Sequence, residues 1–100
     1  MKNEMENTKA LNLENDVLET VAGGAYTQDQ IYNLSNYVYR TVSVPAGTLL
    51  VMQDGPGGAF LPTSYVNGEA ILVNKFISVA GYLIAFKNGA YGFVDAKYVR

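Results

Sequence analysis

The sequence predicts a mainly β fold: a small half-open barrel of short strands, preceded by one short N-terminal helix. Three observations carry this. Asn67-Gly68 and Asn88-Gly89 each sit between apolar or alternating runs, the pattern of tight two-residue hairpins. Tyr37 to Val44 alternates with a period of two, as a half-buried strand does. Ahead of Gly23-Gly24, Leu13, Val17, Leu18 and Val21 recur at helical spacing.

A chain of 100 residues makes one small domain, and 49% hydrophobic with 16% charged residues is a folding composition. There is no cysteine and no histidine. Disulfide frameworks, thiolate metal sites, Cys-His peptidases and Ser-His-Asp chemistry are excluded by inventory. No apolar run approaches the roughly 20 residues that span a bilayer, so no transmembrane segment is expected.

The charge is divided unevenly. Residues 1–24 hold Lys2 and Lys9 against Glu4, Glu6, Glu14, Asp16 and Glu19, a balance of −3. Residues 25–100 hold five basic against four acidic side chains, a balance of +1, with no basic stripe. Nucleic-acid binding has no electrostatic support.

In order along the chain, Leu13, Val17, Leu18 and Val21 fall within an arc of about 140° on a helix. Asn12 suits the N-cap, and Glu14 and Asp16 suit the positive end of the helix dipole. Gly23-Gly24 ends the helix. So short a helix is marginal alone and calls for a partner groove. Leu13 to Gly24 resembles a double-glycine leader peptide, with Leu13, Leu18, Val21 and Gly23 reproducing that family's anchor spacing and Val17 standing where the family usually carries Glu. The resemblance implies recognition at Leu13, Leu18 and Val21 by a peptidase-containing ABC exporter, and cleavage after the pair Gly23-Gly24. It also implies synthesis in the cytoplasm and a mature form outside the cell or on its surface.

Residues 25–37 read as an arm or short helix, in which Ile31, Leu34 and Val38 would share a helical face. Residues 38–100 read as the barrel. The alternation in Tyr37 to Val44 sets Val38, Arg40, Val42 and Val44 opposite Tyr37, Tyr39 and Thr41, and Pro45-Ala46-Gly47 closes that strand. Thr48 to Gln53 is a compact apolar strand. Asp54 to Gly58 is a turn, lacking the Lys-Ser/Thr and helix of a phosphate loop. Ala59 to Val66 and Glu69 to Ala80 flank Asn67-Gly68, the second of them long enough to need a bend or bulge. Tyr82 to Lys87 and Ala90 to Val94 flank Asn88-Gly89.

The two-residue loop fixes the register of this last hairpin. Lys87 faces Ala90, Phe86 faces Tyr91, Ala85 faces Gly92, Ile84 faces Phe93 and Leu83 faces Val94. One face carries Leu83, Ala85 and Val94; the other carries Tyr82, Ile84, Phe86, Tyr91 and Phe93. Tyr39, Tyr65 and Tyr98 read as half-buried barrel residues with wet hydroxyls.

Gly81 to Arg100 resembles the closing segment of bacterial SH3-like domains, with Gly92-Phe93-Val94 and Tyr98-Val99 in the characteristic places. The family often has Trp where Tyr82 and Phe93 stand, and this chain has none. The resemblance implies an SH3-like barrel and, because many such domains bind cell-wall peptides, a cell-wall or cell-surface peptide or glycan as ligand.

A sheet of this size should be wet on one face. Burying each of Tyr82, Ile84, Phe86, Tyr91 and Phe93 is worth about 1.5–3 kcal/mol, so that face needs a cover. It is covered by residues 25–36 with Ile31 and Leu34 as plugs, or it is a homo-oligomer interface, or it is a ligand groove. The function expected is a non-enzymatic binding module exported by the double-glycine route. The alternative is a bacteriocin-like or signalling polypeptide from the same kind of precursor, against which stand a charge of +1 and a strand-like pattern. No catalytic constellation is visible, Asp54, Glu69 and Asp95 being scattered. Neither a cofactor nor a metal is expected.

Overall fold

A computed structural model describes residues 26–100. The leader positions Leu13, Leu18, Val21, Gly23 and Gly24 lie outside the described residues. Within them the elements run helix α1 (Gln28–Tyr32), a 3₁₀ turn (Leu34–Asn36), strands β1 (Tyr37–Thr41), β2 (Leu49–Gln53), β3 (Phe60–Val66), β4 (Ala70–Val79), β5 (Tyr82–Lys87) and β6 (Ala90–Asp95), and a second 3₁₀ turn (Ala96–Tyr98). The chain is mainly β, as predicted. Its strands form one antiparallel sheet in the order β1-β4-β5-β6-β2-β3.

The sheet curls round one core. Val42, Val44, Leu50, Met52, Tyr65, Ile71, Val73, Ala85 and Val94 are buried together on its inner face. The stretch after β1 closes the curl. Val42 bridges Val99, Ser43 N–H donates to the Tyr98 carbonyl at 2.8 Å, and Thr41 and Arg100 exchange bonds of 2.8 and 3.1 Å. Tyr37 to Val44 is therefore strand only to Thr41; beyond it Val42 lies between Gly68-Glu69 and Val99.

The β5–β6 hairpin has the predicted register, pair for pair. Asn88 and Gly89 both take positive φ, 53° and 81°, which matches the right-handed twist of the flanking strands. Asn67-Gly68 behaves otherwise. Val66 and Glu69 close a tight turn at 3.1 Å, yet β3 then pairs with β2, and β4 with β1 and β5. Here the expected hairpin is corrected, and the backbone gives the reason. Only Gly68 has positive φ, so the turn lacks the primed twist and its strands splay. The Asn67 side chain instead accepts the Val44 N–H at 3.0 Å. A two-residue hairpin also forms at Ala80-Gly81, where the sequence suggested strand through Ala80.

The bulge expected midway along the long strand lies between Val73 and Ser78. Asn74, buried, organises it. Its Oδ1 accepts the N–H groups of Phe76 at 2.8 Å and Ile77 at 3.1 Å. Its Nδ2 donates to the Gln30 carbonyl at 2.7 Å, so the bulge also holds α1.

Candidate functional site

The outer face of the sheet brings together all five residues singled out on the β5–β6 hairpin, in a second core with Ile31, Tyr37 and Ile77. Ile84, Phe93 and Ile31 have no exposed surface. The arm that precedes β1 is their cover. Thr27 and Gln30 form a capping box that starts α1, and the helix delivers Ile31 onto the sheet. Tyr37 donates its hydroxyl to the Ile31 carbonyl, and Tyr91 donates to the Tyr32 carbonyl at 2.8 Å. Asn36 Nδ2 donates to the Asp29 carbonyl at 2.9 Å. Tyr32 and Tyr91 meet edge to face at 5.1 Å, and Phe86 and Tyr91 lie 4.7 Å apart. Burial pushes the Tyr37 phenol well above its ordinary range and raises Tyr91 as well, so both hydroxyls stay protonated donors.

Leu34 is not a plug. It stands 42% exposed, because α1 ends at Tyr32 and Leu34 opens a separate 3₁₀ turn capped by Asn33. The cover is therefore partial, and two grooves remain at its margins. One, of about 330 Å³, runs from Tyr82 over Leu49, Phe60 and Tyr98, with Asp95 and Gln53 at its edge. Leu49 and Phe60 are 55% and 72% exposed there. The other, of about 350 Å³, is lined by Leu34, Tyr39, Leu72 and Phe86, with Glu69, Lys87, Asn88 and Tyr65 alongside.

The second groove carries the sharper electrostatics. Lys87 Nζ donates to Glu69 Oε2 at 2.6 Å and to the Ser64 carbonyl at 2.7 Å, tying β5 across to β3. It also lies 4.5 Å from the centre of the Tyr65 ring. The bond from Lys87, then the one from the Val66 N–H, hold the Glu69 carboxyl below its usual range. Tyr65 is not half-buried with a wet hydroxyl. It is 1% exposed, and its hydroxyl is buried with no hydrogen-bond partner among the described residues. Desolvation, then the charge of Glu69, push its phenol far up. Tyr39 departs the other way, at 72% exposed.

Sequence reasoning found the Tyr82–Phe93 face but not the Tyr39–Lys87 groove. Alternation put Tyr39 on one side of its strand with Tyr37 and Thr41, and only the pairing of β1 with β4 and β4 with β5 sets it beside Phe86. Among the described residues no cluster of acidic, His or Cys side chains is placed to hold a metal ion, and no helix is long and apolar enough to cross a membrane. Compared with protein-family models, with curated proteins and with solved structures, the chain finds no match.

Proposed function

We propose that residues 1–24 are a double-glycine leader, and that the β body behind them is an exported, non-enzymatic module that binds cell-wall or cell-surface peptide or glycan. The observation that carries this reading is a juxtaposition. The anchors Leu13, Leu18 and Val21 end at Gly23-Gly24, and Tyr26, two residues on, already packs on the second core of the sheet. Exposed aromatic grooves at both margins of the covered face support ligand binding, since each joins apolar walls to a few polar groups.

Two glycines suit a narrow peptidase cleft, which admits backbone without side chains. Incubated with a double-glycine peptidase, the full chain should yield a fragment beginning at Ala25 in a mass spectrum. Leu18→Ala removes a central anchor and should slow that cut about tenfold or more, equivalent to ~1.4 kcal/mol of lost groove binding. A chain left whole, or one cut elsewhere, contradicts the leader assignment. The destination is tested separately by sedimenting the released fragment with purified cell wall.

A further inference from the structure

We propose that the groove between Tyr39 and Lys87 is a binding site for a pyranose ring of a glycan; this rests on the binding-module reading above and gives it a site and a ligand class. Tyr39, Leu72 and Phe86 are ladder partners in one row on the outer face, from β1 through β4 to β5. Two strand spacings of about 4.8 Å make that row roughly 10 Å long, enough for one sugar ring and part of its neighbour. Tyr39 is the open end of the row, an aromatic platform with no packing duty to explain its 72% exposure.

The polar groups sit on one side of this platform. The Glu69 carboxylate accepts from Lys87 and from the Val66 N–H, which leaves acceptor capacity on both oxygens. The Lys87 ammonium has three donors and places two of them, on Glu69 and Ser64. The pair is neutral in sum, so it draws neither an anion nor a cation. It offers an acceptor and a donor side by side, which adjacent hydroxyls on a ring satisfy together. Tyr65 also lines this groove, with the Lys87 ammonium 4.5 Å from its ring centre. A pyranose has this division of surface, with C–H faces for the aromatic wall and hydroxyl edges for the polar one. An extended peptide would instead pair along the outer edge of β1, where the Thr41 backbone is already bonded to Arg100.

The test is calorimetric titration of the full chain with chitotriose and cellotriose, and with a sugar-free wall stem peptide. Saturable binding of a trisaccharide is expected. Tyr39→Ala should weaken it about tenfold or more without changing Tm, since Tyr39 is exposed. Phe76→Ala, exposed on the β4 bulge and outside both grooves, should leave it unchanged. Trisaccharide binding that survives Tyr39→Ala overturns the proposal. So does binding of the stem peptide alone, which would leave the module reading standing, or saturable binding of none of the three.

Discussion

At the scale of single residues, the fold depends on positions where the backbone is crowded or bent. Gly92 is one. β2 crosses β6 at the Gln53–Phe93 pair, and a Cβ on Gly92 would lie 2.2 Å from Met52 Cγ and 2.9 Å from the Gln53 carbonyl oxygen. Met52 can swing, but the carbonyl belongs to a strand and cannot. Gly92→Ala should therefore cost about 1–3 kcal/mol, the usual penalty of overpacking, measured by urea unfolding. A variant as stable as the parent would mean that β2 lies farther off. The sequence showed Gly92 facing Ala85 across a hairpin, and nothing in a local pattern says that a third strand passes above it. Ala80 was hidden for a similar reason. Its φ of 52° is left-handed, a conformation Ala seldom takes, so its type pointed to strand and the register of β4 with β5 overrode it. Tyr65 was misjudged because alternation tells inside from outside but not depth.

At the scale of elements, the arm decides what the outer face can do. Its five-residue helix is far too short to be stable by propensity. It is held by Ile31 in the second core and by hydrogen bonds from Asn74, Tyr37 and Tyr91 to three successive carbonyls, of Gln30, Ile31 and Tyr32. Ile31→Val should cost about 0.5–1.5 kcal/mol and Ile31→Ala about 2–5 kcal/mol. In hydrogen exchange the Ala variant should lose protection at residues 28–36 before the strands do, with dye binding rising as Ile84 and Phe93 are bared. Uniform loss across the sheet would show that arm and barrel unfold as one unit. The need for a cover was legible, since five large apolar side chains on the second face of one hairpin cannot stay wet. Ile31 as the plug was legible too. Leu34 was not, because its helical spacing from Ile31 holds only if the helix continues, and Asn33 caps the next turn instead.

At the scale of the whole molecule, one sheet serves two cores. The inner one closes the barrel, and the outer one attaches the arm and leaves an aromatic groove on each side of it. The strand number, the hairpin at Asn88-Gly89 and both faces of β5 and β6 follow from period and turn chemistry. The strand order does not, because the splay at Asn67-Gly68 depends on the sign of φ at Asn67, which residue types leave open. The proposed function requires the segment through Gly24 and the body behind it to be separable. The direct test is the thermal unfolding of the chain before and after cutting between Gly24 and Ala25. The account predicts a cooperative transition in both, with Tm moved by no more than about 4 °C, the equivalent of roughly 1 kcal/mol in a domain of this size. Loss of the transition on cutting would mean that the first two dozen residues belong to the fold, and would contradict it.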